Sequence, residues 1–234
     1  MGSITSDEEK QAAAKRSLAF VNSGYVVGLG TGSTASYAIH FLADRVREGL
    51  KILGIPTSVQ SRELATTLGI PLTSFEESPR VDVTIDGADE ISPALQLIKG
   101  GGGALLREKI VASASRMVVI IADSKKQVPA LGKFPLPVEV VPFAEALLSR
   151  RIADLGASVV LRRDQAGRPF VTDEGHHILD CNFGRISDPS GLATKLERMP
   201  GVVEHGLFIG LADVALIGKD IEVHRSRRSS RKPI

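Results

Sequence analysis

The chain has 234 residues, 43% hydrophobic and 24% charged, with a formal net charge of +2. That length fits one large or two small domains with a real core, and the small net charge makes no case for nucleic acid as a partner. The single cysteine, Cys181, rules out an internal disulfide and fits a reducing compartment. It lies among apolar strand residues and reads as packing. No apolar run reaches the roughly 18 residues of a membrane span. The opening MGSITSDEEK is acidic and no apolar stretch follows it, so no targeting peptide is expected and the expected location is cytoplasmic.

Ser6-Asp7-Glu8-Glu9 reads as a capping box with Ser6 as N-cap, opening a helix to about Val21. Tyr25–Leu29 is a buried strand. Gly28-Leu29-Gly30-Thr31-Gly32-Ser33-Thr34 follows and leads into a helix over Ala35–Val46. Strand, glycine-rich turn and helix start together make an anion site, to which the hydroxyls of Thr31, Ser33 and Thr34 can add bonds. The loop lacks nucleotide apparatus. The dinucleotide pattern needs glycine where Ser33 stands, and the Walker Gly-Lys-Ser/Thr is absent. Leu50–Ile55 is a strand, Ser58–Leu68 a helix and Ile70–Thr73 a short strand.

The most informative stretch is Asp82–Lys109. Val81–Ile85 is a short β-branched strand ending in Asp86, Gly87, Ala88, Asp89 and Glu90. Lys99 and four glycines, Gly100–Gly103, precede a helix over Ala104–Ala114 with Glu108 in its second turn. Carboxylates at the C-terminal end of a strand lie where open α/β sheets bind ligands. Neighbouring carboxylates suit acid/base work, a lysine can stabilise an oxyanion, and glycines let a ligand approach. The chemistry indicated is proton transfer on a small substrate. Taken alone, the acidic cluster also fits a solvated turn and the glycine run a flexible linker.

Met117–Ala122 is a continuous apolar strand. The alternation of strands and helices up to that point predicts a parallel, doubly wound, Rossmann-like sheet. Beyond Gly132 the texture changes. Lys133–Pro142 is extended, Phe143–Leu155 helical, Ser158–Arg163 and His176–Cys181 a hairpin pair, Pro189–Met199 helical and Gly201–Phe208 extended. That β-α-β-β-α-β order predicts a ferredoxin-like α+β small domain over 133–204, inserted in a catalytic domain of 1–132 plus 205–234. Ala212–Ile217 returns to the large domain as a strand. His176, His177 and His205 are not spaced as metal ligands and read as surface or packing residues. The basic end, His224–Lys232, lacks apolar periodicity and is expected to be disordered and dispensable.

Three motifs taken in order, GLGTGSTA (Gly28–Ala35), TIDGADE (Thr84–Glu90) and IKGGGGALLREKI (Ile98–Ile110), resemble type A ribose-5-phosphate isomerase. IADSKKQ (Ile121–Gln127) and GKFPLPVEVVP (Gly132–Pro142) match in kind. The resemblance implies reversible aldose–ketose isomerisation of D-ribose 5-phosphate and D-ribulose 5-phosphate in the non-oxidative pentose phosphate pathway. It implies no metal, no organic cofactor, a small-molecule sugar phosphate as partner, and a homo-oligomer, commonly a homodimer, with a tetramer as the other state. By position it makes Glu108 the catalytic base. Lys99 with Gly100, Gly101 and Gly102 lines the reacting end, and Asp86 and Asp89, flanking Gly87 and Ala88, contact sugar hydroxyls. Thr31, Gly32, Ser33, Thr34 and Lys126 bind substrate and phosphate, with Lys10 as a further candidate. Lys125 stands where that family often has serine, so Lys125 and Lys126 both remain candidates to face the phosphate. After Gly218 the chain is short and basic where that family continues with a polar strand. A deaminase or CoA transferase on a similar fold, or a sugar-phosphate sensor, are the alternatives that fold alone leaves open.

Overall fold

The computed structural model describes residues 4–218 and 222–225. Along the chain come α1 (Ser6–Ser17), β1 (Val26–Leu29), α2 (Ser33–Arg47), β2 (Leu53–Pro56), α3 (Val59–Thr67), β3 (Val81–Asp86), β4 (Glu90–Ile91), β5 (Leu97–Ile98), α4 (Leu105–Ser113) and β6 (Ser115–Ala122). Then follow β7 (Leu136–Val140), α5 (Glu145–Ala153), β8 (Ser158–Leu161), β9 (His177–Asn182), α6 (Pro189–Glu197), β10 (Val202–His205), β11 (Leu207–Phe208), β12 (Val214–Ile217) and β13 (Glu222–Arg225). These elements fall into two compact units. The first takes the chain up to Ala88, Arg107–Gln127 and the residues from Gly210 on. The second takes Asp89–Leu106 and Val128–Ile209, so besides the expected insert of 133–204 it holds residues 128–132 and 205–209 and the segment that runs from Asp89 into the start of α4.

The first unit is built on a sheet of order β13-β12-β6-β3-β1-β2 among the described residues. Its five strands from β12 to β2 are parallel, and β13 runs antiparallel on the edge. Parallel strands are covered on both faces and so read as continuous apolar runs. Val118–Ala122 of β6 and all of β12 are buried, as that rule requires. From β1 the chain winds outward to β2, then returns to β3 and winds the other way through β6 to β12. The reversal falls between β1 and β3, where open α/β sheets bind ligands outside the strands' carboxyl ends.

Four local expectations change. The capping box is one residue earlier than read. The Thr5 N–H donates to Glu8 Oε2 (2.7 Å) and the Glu8 N–H to Thr5 Oγ1 (3.3 Å). Both Thr5-x-x-Glu8 and Ser6-x-x-Glu9 satisfy the pattern, but Glu9 is buried and engaged elsewhere. The helix itself stops at Ser17 and passes into a 3₁₀ turn, Leu18–Phe20. Strand β2 starts at Leu53, because Gly49 (φ 104°) and the Leu50 N–H on Arg45 O (2.9 Å) close α2. The strand expected over Ile70–Thr73 shrinks to one parallel bridge, Leu72 with Gly54.

In the second unit β10-β7-β9-β8 form an antiparallel sheet with α5 and α6, the β-α-β-β-α-β arrangement expected. Leu136, Val138, Val140, Leu148, Ile152, Leu179, Cys181 and Leu196 make its core. Burial, reinforced by the charge of Asp180, pushes the Cys181 thiol up to about 12, which fits packing and not nucleophilic work. His176 Nδ1 lies 2.9 Å from Glu139 Oε1, His177 Nδ1 lies 2.7 Å from Glu145 Oε2, and His205 is buried. Among the described residues no three His, Cys, Asp or Glu are grouped to hold a metal ion.

A second sheet of this unit, β11-β5-β4, has strands of two residues each, too short for any periodicity to announce them. Glu90 in β4 is not a solvated turn residue. It is buried, and its Oε2 accepts the Gly132 N–H (2.7 Å) while Oε1 accepts the Phe134 N–H (2.5 Å). At the C-terminus, residues 222–225 form β13, so His224 and Arg225 belong to an ordered strand and not to a tail. Residues 226–234, the rest of the basic run, lie outside the described residues. Among those described, no helix is long and apolar enough to cross a membrane.

Candidate active site

In the first unit the loop after β1 is fastened to the end of β3. The Gly30 N–H donates to Ile85 O (3.0 Å), and the Thr31 and Gly87 N–H groups donate to Asp86 Oδ1 (3.0 and 2.7 Å). Only glycine fits at position 30, since a Cβ there would lie 2.3 Å from Asp86 Oδ1 and 2.5 Å from Ile85 O. Gly32 is the N-cap of α2 and supplies no side-chain cap. The first amides of α2, behind exposed Ser33 and half-buried Thr34, keep the donor character and positive dipole end that favour an anion.

The Thr31 hydroxyl, read as able to add a bond to a ligand, sits in a cluster of hydroxyls. Its Oγ1 lies 2.7 Å from Thr57 Oγ1, 2.8 Å from Ser58 Oγ and 3.1 Å from Ser61 Oγ. Thr57 and Ser61 in turn donate to the carbonyls of Leu29 (3.0 Å) and Gly30 (2.6 Å). This hydroxyl cluster binds the loop to the start of α3.

Three lysines expected to face the phosphate belong to this unit. Lys10 Nζ donates to Ser33 Oγ at 3.1 Å, which puts Lys10 at the loop. Past β6 a 3₁₀ turn, Ser124–Lys126, carries exposed Lys125 and half-buried Lys126. The buried carboxylate of Glu9 caps that turn, accepting the Ser124 N–H (2.5 Å) and Oγ–H (3.0 Å). Sequence reading missed this role. The available signal was spacing, since Glu9, Ala13 and Ser17 recur at i, i+4, i+8 on the buried face of α1. Glu108 is 5% exposed and sits in the first turn of α4, not the second, because the helix starts at Leu105.

In the second unit Lys99 and the glycine run follow β5. Lys99 is 3% exposed, its N–H donates to Gly206 O (2.9 Å), and its Nζ lies 5.5 Å from the centroid of the Phe208 ring. The run is a turn, closed by the Gly103 N–H on Gly100 O (3.0 Å), with Gly100 at φ 101°. Asp89 holds it from one side, its Oδ2 accepting the Gly101 N–H at 2.7 Å. Arg162, which the sequence reading passed over, holds it from the other by donating to the carbonyls of Gly100 and Gly101. An ordered turn thus replaces the linker reading.

Fold and side chains together define a doubly wound α/β protein with a glycine-rich loop at its winding reversal and buried carboxylates at Asp86 and Glu108. The chain belongs to the family described as ribose 5-phosphate isomerase A (phosphoriboisomerase A), whose family model matches residues 53–222. A ribose-5-phosphate isomerase A from Nitrobacter hamburgensis is 54% identical over 220 residues, covering 92% of this chain and 95% of that one. The solved ribose 5-phosphate isomerase A of Methanocaldococcus jannaschii superposes with a TM-score of 0.90 at 40% identity, covering 94% of this chain and all of that one. A solved D-ribose-5-phosphate isomerase in complex with phospho-erythronic acid superposes with a TM-score of 0.91 at 37% identity, covering 97% and 100%.

Proposed function

We infer that the chain interconverts D-ribose 5-phosphate and D-ribulose 5-phosphate through an enediolate. It is an aldose–ketose isomerase. The observation that carries the reading is membership of that family together with Glu108, buried in the first turn of α4 directly after the Lys99–Gly103 segment.

Moving a carbonyl between carbons 1 and 2 requires a proton to leave one and reach the other. Glu108, on a helix and not a loop, takes the proton from carbon 2 and returns it to carbon 1 on the same face. Negative charge then develops on the substrate oxygens, and the Lys99 ammonium with glycine amides stabilises it where it forms. Asp86 assists opening of the sugar ring, with Asp89 the second choice for that step. The Gly30–Thr34 loop, the start of α2, Lys126 and Lys10 hold the phosphate, and that remote binding energy keeps the reacting carbons in register. The assignment of these roles rests on the match of each residue to the family's motifs, and on the burial and hydrogen bonds described above.

Incubation of the purified chain with ribose 5-phosphate, with ribulose 5-phosphate detected as it forms, tests the function. An inert preparation that is folded by circular dichroism overturns it. A homodimer is the assembly the resemblance implies, and light scattering on the purified chain measures it.

A further inference from the structure

Four consecutive glycines have wide backbone freedom, so a turn that presents a defined donor must be fixed by its surroundings. In the second unit that fixing comes from Arg162, the residue after β8, whose side chain is 13% exposed. Its Nε and Nη2 donate to the two carboxylate oxygens of Asp180 (2.9 and 2.5 Å), and its Nη1 donates to Gly100 O (2.7 Å) and Gly101 O (3.2 Å). The guanidinium lies 5.8 Å from the centroid of the Phe170 ring, and that ring fills the space where a Cβ on Gly103 would stand, at 2.5 Å. The backbone of Arg162 is itself tied down, its N–H on Ile178 O (2.8 Å) and its carbonyl under the Phe170 N–H (2.9 Å). A planar fork with fixed donor directions can hold a carboxylate and two carbonyls at once, which a lysine cannot.

Peptide planarity converts this into a direction. In a trans peptide the C=O of one residue and the N–H of the next point oppositely. Drawing the Gly100 carbonyl toward Arg162 turns the Gly101 N–H away from it, and there it meets Asp89 Oδ2 at 2.7 Å. Drawing the Gly101 carbonyl toward Arg162 likewise turns the Gly102 N–H away, and Gly102 is exposed. We propose that Arg162, held by Asp180, is a positioning residue that aims the Gly102 amide at the substrate oxygen on which enediolate charge develops. The proposal rests on the isomerase reading above and adds to it the device that sets the direction of one oxyanion donor.

The test is kinetic. Arg162→Lys and Arg162→Met are compared with wild type for kcat and KM on ribose 5-phosphate, and for inhibition by inorganic phosphate and by phospho-erythronic acid, which adds a carboxylate to the phosphate. Loss of one oxyanion donor lowers kcat by roughly 10²–10³-fold. The expected result is a fall in kcat of about 10²-fold for Arg162→Met, with incomplete rescue by lysine and with weaker binding of phospho-erythronic acid but not of inorganic phosphate. A kcat near wild type in Arg162→Met overturns the proposal. So does a loss that inorganic phosphate binding shares in equal measure, since that marks general unfolding of the site. Should the arginine variants not fold, Asp180→Asn decides by the same comparison: a fall in kcat with phosphate inhibition retained supports the proposal, and an unchanged kcat overturns it. Wild-type protein inert toward ribose 5-phosphate overturns the isomerase reading instead, so the two failures are distinct.

Discussion

The amide of Thr31 donates to Oδ1 of Asp86 at 3.0 Å, and through that bond the glycine-rich loop after β1 is anchored at the carboxyl end of β3. Asp86 therefore has two separable duties: one oxygen orders the loop, and the carboxylate as a whole is the proposed helper in ring opening. Asp86→Asn keeps an acceptor for the Thr31 and Gly87 amides and removes the acid/base function. It should lower kcat by roughly 10²-fold or more while KM changes little. Asp86→Ala removes the anchor too and should raise KM as well. Equal KM values in the two variants would show that the anchor does not shape the phosphate end.

Lys126 is half-buried on the 3₁₀ turn that Glu9 caps, and Lys125 beside it is exposed. We propose that Lys126, the less exposed of the two, is the one that binds the phosphate. Lys126→Ala should raise KM for ribose 5-phosphate by more than it lowers kcat, the signature of lost uniform binding. Lys125→Ala should leave both within about twofold, since a solvated lysine contributes little. Steady-state kinetics on the pair checks this, and the reverse pattern would move the role to Lys125.

Glu90 sits in the same acidic cluster as Asp86 and Asp89, yet it is buried and bonded to two backbone amides 42 and 44 residues away. Removing its carboxylate strands both N–H groups, and buried donors left unpaired cost about 1–3 kcal/mol each. Glu90→Ala should thus destabilise the fold by about 2–4 kcal/mol in urea unfolding. The fraction that remains folded should keep its kcat, because Glu90 has no proposed part in the chemistry. A large kcat loss in fully folded Glu90→Ala would return it to the catalytic set.

Such division of labour within one short motif marks the limit of the sequence. The parallel strands were legible because burial on both faces demands uninterrupted apolar runs such as Val118–Ala122, and the small-unit order was legible from its hairpin and helices. The glycines and acidic residues of the candidate site were legible as a spacing pattern. What could not be read was set by contacts distant along the chain. Glu9 fits a capping box as well as it caps Ser124, and only the fold decides between them. Thr31 offers its hydroxyl equally to a ligand or to Thr57, Ser58 and Ser61. Arg162 follows a strand in a stretch with no motif, and its partners Asp180 and Gly100 lie 18 and 62 residues away. Two-residue strands such as β4 and β5 are shorter than any period that could reveal them.

The sharpest consequence concerns Glu108. It is 5% exposed, stands in the first turn of α4 and follows directly on Lys99 and the ordered glycine turn. Glu108→Gln keeps the shape and removes the basicity. General base catalysis is worth roughly 10²–10⁴-fold, so turnover should fall by at least that range while inhibition by inorganic phosphate persists. In D₂O the wild type should place deuterium on carbon 2 of the aldose, because a carboxylic acid exchanges its proton with solvent between abstraction and return. Isotope content at carbon 2 can be followed by NMR during the reverse reaction, where retention of nearly all the substrate hydrogen would point to a hydride shift. Rate and isotope then speak together. A Glu108→Gln variant that turns over near the wild-type rate, still incorporating deuterium, would mean that another carboxylate moves the proton, and Asp86 and Asp89 would be the groups to test in its place.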